Sequence, residues 1–446
     1  MKVTLVRLPN FLLYDEHLEL PLGLLYLANE LEKHDVLVNI ADLAGKPRSE
    51  WARLVSIDSD IYGISATTPD WPIARAFARW IRGIRPSAQI VLGGAHATVM
   101  GREVLAESDF DIAVKGEGEI TMREIALGNR HPLGSWSKNG EIKDNGNRPL
   151  EPNITRFDYP AWHLLSEESL ISTGLVNKGQ RATCITASRG CMMRCSFCDQ
   201  SIFDWTWRSR TRESLLVEVD ALKMRYGVSE VRLVDEFISP KSEIISDVCE
   251  VMKENGIKWR THIRASLMTP ELAEKMVSAG CVEIAFGVES GSQRVLDAIH
   301  KGMKIEDSEK AIAICRAAGL RTKAYLIIGL PSATWDSFHE TLAFIRRAKP
   351  DKTTLSTFCP YPGCDVWRHP EKYDYVLDDR DYLNYWILGL EDSAVLPPGH
   401  TSKMNRENIR AARNLLLEAM ADYGTRRSVI RDVNDRIRLR EEAAAL

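Results

Sequence analysis

No window of this 446-residue chain offers the roughly 18 uninterrupted apolar residues that a membrane span needs. The opening "MKVTLVRLPNFLLYDEHLEL" breaks its apolar run at Arg7, Pro9 and Asn10, and reads as a strand and loop rather than a signal peptide. The expectation is a cytoplasmic protein with no membrane partner. A charge excess is missing too. With 58 basic against 62 acidic side chains the net charge is −4, which speaks against a generally basic surface for nucleic acid. The charge-dense "RRSVIRDVNDRIRLREE" mixes signs as a solvated helix does, so no nucleic-acid partner is expected. No GxGxxG is present at the Gly93-Gly94 pair, which disfavours a dinucleotide site. Paired cysteines are lacking as well: nine is an odd number, and six are scattered at 184, 249, 281, 315, 359 and 364. That pattern excludes a disulfide framework and leaves a metal site plus buried thiols. The most telling scarcity is local. "SRGCMMRCSFCDQ" places Cys191, Cys195 and Cys198 within eight positions and supplies no fourth cysteine.

What is present is a repeated alternation of short apolar runs with amphipathic stretches. Over residues 1–126 "KVTLVRL", "VLVNIADL", "DIYGISA", "QIVLGGAH" and "DIAVKGEGE" read as strands, while "PLGLLYLANELEKH" and "PIARAFARWIRGI" read as helices. This spacing predicts an α/β, doubly wound, Rossmann-like domain whose ligand lies at the carboxyl ends of the strands. Residues 127–180 are rich in Gly, Asn and Pro and read as a linker, with a small hairpin turning at Asn139-Gly140. A second alternation over 181–370 predicts six strand–helix units, a partial (β/α)6 barrel with its chemistry at the strand ends. Residues 371–446 read as a mainly helical cap.

In this reading the cysteine triplet follows the first barrel strand. Thiolates are soft ligands suited to iron–sulfur clusters or zinc. Three of them leave one iron of a [4Fe–4S] cluster without a protein donor and open to a cofactor. The alternative is a zinc site completed by a distant His or Cys, although CxxxCxxC is not the paired spacing of zinc ribbons.

The loop resembles that of the radical S-adenosylmethionine superfamily at Cys191, Cys195, Phe197 and Cys198. The resemblance implies that the three cysteines hold three irons and that S-adenosylmethionine chelates the fourth. Its reductive cleavage then gives a 5′-deoxyadenosyl radical. It also implies cofactor contacts for Asp235 and Glu236 after the second strand, Arg264 after the third, Glu289 and Ser290 after the fourth, and Gly329 after the fifth. Read as bare residues, Glu289 is equally an ordinary strand-end carboxylate, Arg264 an ion-pair partner, and Asp235 and Glu236 helix caps. The "FCPYPGCDVW" segment matches a sixth-strand element of one subgroup. Trp205 and Trp207 are expected to shield the cluster and Arg208 to neutralise its charge. Tyr325, Tyr361 and Trp367 are candidates for a substrate wall or for the core, and Cys359 and Cys364 for core or substrate-site thiols.

"LPLGLLYLANEL", "YGISATT", "IVLGGAHATV" and "DIAVKGEGE" resemble the cobalamin-binding domain that precedes the radical domain in one large subgroup. Ser65, Thr67, Gly93, Gly94, Gly116 and Glu117 are the positions this implies for cobalamin. A DxHxxG element is missing, since "DEHLEL" has Leu20 where Gly would stand, and His96 either faces the corrin or packs at a strand end. The resemblance implies a cobalamin-dependent enzyme. Its expected activity is C-methyl transfer to an unactivated carbon of a small molecule in specialised metabolism. An external electron donor such as flavodoxin or ferredoxin is implied. Cyclisation, ring contraction or another skeletal rearrangement, methylthiolation of transfer RNA, and an iron–sulfur redox or binding module without turnover are the alternatives.

Overall fold

The computed structural model describes residues 1–9, 16–18, 20–172, 179–239, 243–378, 382, 385 and 396–422. Asp15, most of the aromatic stretch after 378 and the charge-dense stretch 426–442 lie outside the described residues. The chain divides into two compact units.

The first unit contains residues 1–172 and 200–208. Its sheet runs β2-β1-β3-β4-β5-β6-β7, with β1 Lys2–Arg7, β2 Leu37–Asp42, β3 Ile61–Ser65, β4 Gln89–Gly93, β5 Ile112–Val114, β6 Ser135–Asn139 and β7 Glu141–Asp144. The first five strands are parallel, in the doubly wound order whose switch point lies between β1 and β3. Strands covered on both faces need continuous apolar runs, which is why "VTLVR" and "IYGI" are buried without alternation. The helices are α1 Leu22–Glu32, α2 Arg48–Leu54, α3 Trp71–Ile84, α4 Ala95–Ala106 and α5 Glu119–Ala126. α3 shows how the sequence specifies them. Pro72 sits in its first turn, Trp71, Ala74, Phe77, Ala78 and Ile81 form one buried stripe, and Arg85 ends it before Pro86.

Two features depart from the sequence reading. The expected hairpin turns at Gly140 (φ +81°), but it does not belong to a linker: β6 pairs antiparallel with β5 and extends the sheet. The strand read through "QIVLGGAH" stops at Gly93, and Gly94 (φ +92°) turns the chain into α4. α4 escaped the sequence reading because it is irregular. Met100 leaves helical geometry, and Gly101 lies so close to Trp136 that a Cβ would come within 2.5 Å of its ring.

The second unit holds an open parallel sheet in the order β13-β12-β11-β10-β9-β8. Its strands are β8 Ala182–Ile185, β9 Glu230–Leu233, β10 Lys258–His262, β11 Cys281–Glu289, β12 Arg321–Ile328 and β13 Lys352–Thr357. Alternating with them are α6 Arg212–Tyr226, α7 Ile244–Asn255, α8 Pro270–Ser278, α9 Gln293–Ala298, α10 Ile305–Ala317 and α11 Trp335–Ala348. This is the expected partial barrel. β12 illustrates its two faces: Thr322, Ala324, Leu326 and Ile328 are buried, while Lys323, Tyr325 and Ile327 between them are half-buried on the inner, concave face. An antiparallel pair, β14 Tyr375–Leu377 and β15 Gly399–Thr401, and helix α12 Arg406–Asp422 follow. Among the described residues no helix is long and apolar enough to cross a membrane.

His96 lies 2% exposed at the start of α4, stacked on Trp71 at 5.1 Å with Nδ1 3.3 Å from Thr68 Oγ1. Burial lowers its pKa from 6.5 to about 4. The unfolded chain therefore binds the extra proton between these values, and stability falls as pH drops from 6.5 toward 4. The full window corresponds to about 3 kcal/mol. Urea midpoints at pH 7 and pH 5 are expected to differ less in His96→Gln than in the wild type; an equal difference would show that His96 is not the titrating group.

Candidate active site

The cysteine loop begins where β8 ends, and the carboxylates after β9 fix its start. Asp235 is fully buried; its Oδ1 accepts from the N–H of Ala187 (2.9 Å), the N–H of Ser188 and the hydroxyl of Ser188 (2.7 Å). Burial raises its pKa to about 7 against the pull of these bonds, and its Oδ2 is buried with no partner. Glu236 accepts from Gly190 N–H at 3.0 Å. Farther along, Ser196 N–H donates to Ile299 O (2.9 Å) and Val366 N–H to Ser196 O (3.1 Å). The Pro-x-Pro-Gly segment closes on the same loop: Gly363 (φ +103°) lies where a Cβ would be 2.6 Å from the Asp199 carboxylate.

Cys195 is buried, and Cys191 and Cys198 are partly buried. Burial pushes the Cys191 thiol up, with Cys195 adding to the effect and the Met193 N–H and Arg264 opposing it. Thiols away from the loop shift in the same direction. Burial raises Cys249 to about 11 and Cys315 and Cys364 to about 12, as expected of neutral core residues.

Glu289 stands at φ +66°, a left-handed conformation that a residue with a Cβ adopts at a cost. The register with β12 slips between Gly287 and Glu289, and this bulge re-aims the side chain. Its Oε1 meets Lys301 Nζ at 2.6 Å, and both groups are about a tenth exposed. Lys301 also lies over the Phe197 ring at 5.8 Å, which links the cysteine loop to the fourth strand. Gly287 makes room for the pair: a Cβ there would lie 2.5 Å from Glu289 Oε1 and 3.0 Å from Lys301 Nζ.

Other expected residues are placed differently. The Arg264 guanidinium donates to the backbone oxygens of Lys301 and Gly302 (2.7 Å to the latter). Ser290 packs on α11, its Oγ accepting from Ser292 N–H at 3.1 Å and lying 3.4 Å from Thr341 Oγ1. Gly329 (φ +83°) faces Ile409 of α12, 3.1 Å from where its Cβ would stand. Tyr325 lies in the concave face beneath Lys323. Tyr361 and Trp367 sit on the segment after β13, and the Trp367 indole N–H is buried without a partner. Lys301 escaped the sequence reading because its carboxylate is 12 residues away. His262 escaped it too: at the end of β10, burial first and Arg232 next lower its pKa to about 4.

In the first unit, Ser65, Thr67, Gly93 and Gly94 meet at the carboxyl ends of β3 and β4. A Cβ on Gly94 would lie 2.7 Å from Ala66 O and 2.9 Å from Ser65 Oγ, and Thr67 donates through N–H and hydroxyl to Asp70 (3.0 and 2.6 Å). Thr98 joins this edge to Gly116, accepting from its N–H at 3.1 Å and donating to Gly94 O at 2.9 Å. Glu117 is engaged elsewhere. Both its oxygens take the Arg208 guanidinium, at 2.8 and 3.1 Å, and Arg208 also donates to Glu151 O at 2.7 Å.

The family described as the Radical SAM superfamily matches residues 185–345, and the B12 binding domain matches residues 15–126. A protein of Pyrococcus horikoshii named an uncharacterized methyltransferase is 30% identical over 362 residues, covering 78% of each chain. The chain belongs to the radical S-adenosylmethionine superfamily. An anaerobic magnesium-protoporphyrin IX monomethyl ester cyclase of Cereibacter sphaeroides is 29% identical over 347 residues, 74% of this chain and 56% of the cyclase. The fold is shared with the radical S-adenosylmethionine methyltransferase TsrM of Kitasatospora setae at a TM-score of 0.68 and 17% identity, over 93% of this chain and 81% of that one.

A radical S-adenosylmethionine enzyme of this composition takes a [4Fe–4S] cluster, S-adenosylmethionine and cobalamin. Among the described residues no three His, Cys, Asp or Glu side chains converge tightly enough to hold one metal ion. A [4Fe–4S] cluster does not require that, because each cysteine binds a different iron; three thiols on one short, tethered loop suit it.

Two glycines separate packing from the Glu289–Lys301 pair. Gly291→Ala would set a Cβ 2.5 Å from Thr341 Cα and is expected to cost roughly 1–3 kcal/mol in urea unfolding. Gly287→Ala meets only flexible side-chain ends, so it is expected to change stability by less than about 1 kcal/mol. It should nonetheless weaken S-adenosylmethionine binding about tenfold by equilibrium dialysis. Unchanged affinity would take the pair out of the cofactor site.

Proposed function

We propose that the enzyme is a cobalamin-dependent radical C-methyltransferase acting on an unactivated carbon of a small molecule. One observation carries this reading: a tethered loop with three thiols lies at the strand ends of a partial barrel, in a chain that also carries a cobalamin-binding domain. The methyltransferase name of the Pyrococcus relative supports the reaction class. When bound, the cluster and S-adenosylmethionine supply a 5′-deoxyadenosyl radical after one-electron reduction, and cobalamin supplies a transferable methyl group.

The chain's own residues then have these roles. Cys191, Cys195 and Cys198 hold three irons. Asp235 and Glu236 keep the loop in place, and the unpartnered Asp235 Oδ2 accepts from the cofactor's amino group. Glu289, held by Lys301, accepts from the ribose hydroxyls, and Phe197 lines the same site. Arg264 orders the Lys301-Gly302 turn and offsets negative charge beside Cys191. Ser65, Thr67, Gly93, Gly94 and Gly116 form the cobalamin edge, where small side chains let a flat ring approach the backbone. Ser290, Gly329 and Glu117 support this machinery from behind, through α11, Ile409 and Arg208 respectively. Tyr361 and Trp367 wall the substrate. The one-electron donor is an external protein such as a flavodoxin or ferredoxin, in a cytoplasmic setting.

A second reading keeps the radical and drops methyl transfer, as the cyclase relative suggests. Product mass separates the two, since methylation adds one carbon and two hydrogens and cyclisation does not. Single replacement of Cys191, Cys195 or Cys198 by Ala is expected to remove iron and end 5′-deoxyadenosine formation in anaerobically reconstituted protein. Retained iron with full cleavage would overturn the assignment of the thiols.

A further inference from the structure

We propose that the concave face of the six-stranded sheet binds an anionic group of the substrate, a carboxylate or phosphate, with Lys323 and Arg232 as its anchors. The proposal rests on the radical-enzyme reading and names the class of molecule that reading leaves open.

Strand register brings the charges together. Arg232 of β9 stands opposite Arg260 of β10, Arg260 opposite Glu283 of β11, and Lys323 of β12 opposite Lys352 of β13. Glu283 pairs with Arg260 at 3.1 Å and with Lys352, two strands away, at 2.5 Å. This bridge past an intervening strand, together with the half-buried alternation of β12, places these residues on the inner, concave side of the sheet. Glu283 is 3% exposed and satisfied by these two cations. Glu230, on the same strand face as Arg232, is buried and engaged.

Arg232 and Lys323 are left over. Among the described residues neither has a carboxylate partner. Lys323 lies with Nζ 4.8 Å over the Tyr325 ring. Burial lowers its pKa first, Arg260 and Arg232 lower it further, and Tyr325 and Glu283 oppose them, so the three cations lie within electrostatic reach of one another with Glu283 as the nearby carboxylate. Among the described residues, these four cations face two carboxylates, Glu230 and Glu283, and such an excess in a half-buried setting favours an added anion. Arg232 and Lys323 are half-buried rather than sealed, and the neighbouring Arg260 and Lys352 remain 20% and 32% exposed. A guanidinium and an ammonium together suit a carboxylate or phosphate, one by paired hydrogen bonds and the other as a point charge. Lys323 stands five residues before Ile328, about 16 Å along the strand from the end where the cofactor residues gather. The acid group is therefore remote from the reacting carbon.

The test is calorimetric titration of inorganic phosphate, and separately glutarate, into anaerobically reconstituted enzyme with S-adenosylmethionine. At least one anion is expected to bind the wild type in the millimolar range or tighter. Affinity should fall about tenfold in Lys323→Met and in Arg232→Gln and recover in Lys323→Arg. The anion that binds identifies the group as phosphate or carboxylate. In the wild type the bound anion should also slow carbamylation of Lys323 by cyanate, read by mass spectrometry. Absence of binding by both anions, or equal affinity in Lys323→Met, overturns the proposal. Iron content and 5′-deoxyadenosine formation in the same samples keep the two ideas apart: if they persist while anion binding ignores Lys323, the anion site fails and the radical reading stands.

Discussion

The site depends on one buried carboxylate. Asp235 has a single oxygen into which three donors of residues 187 and 188 converge, and these residues launch the loop that carries the thiols. Burial alone would make the group costly, and its pKa near 7 records that cost. The hydrogen bonds offset part of it and convert a short, irregular segment into a fixed one. Glu236 at Gly190, Ile299 at Ser196 and Gly363 at Asp199 extend the same constraint along the loop. A cluster with an open iron needs such a frame, because its three ligands lie on one segment rather than across the fold.

Glu289 shows a second constraint. A parallel strand would carry its last side chains in strict alternation, and the slip at Gly287 breaks that pattern. The left-handed Glu289 sits in an ion pair with Lys301 that fits only because Gly287 has no side chain. The strand-end edge of the first unit is built on the same economy of side chains, with Gly94 seated against Ala66 and Ser65.

Much of this was legible in the sequence. The six strand–helix units of the barrel were readable because each strand is an apolar run bounded by turn residues, and the CxxxCxxC loop carried the resemblance to the superfamily. Elements that obey long-range rules were not readable. The hairpin at Gly140 joins the sheet through pairing with β5, and the irregular α4 packs its Gly101 against Trp136, some 35 residues on. The partners of Arg208 were hidden for the same reason: it lies close to the cysteines in sequence, and it bonds to Glu117 and Glu151. Lys301 and Lys323 carry no motif, and strand register and fold alone reveal what they face.

The central claim is that three protein thiols leave one iron of the cluster for S-adenosylmethionine. Electron paramagnetic resonance of the anaerobically reduced protein, recorded with and without S-adenosylmethionine carrying nitrogen-15 in its amino group, tests it directly. The account predicts a [4Fe–4S]⁺ signal that shifts on addition of the cofactor and shows hyperfine coupling to the labelled nitrogen. A cluster signal indifferent to the cofactor, or zinc in place of iron, would contradict it.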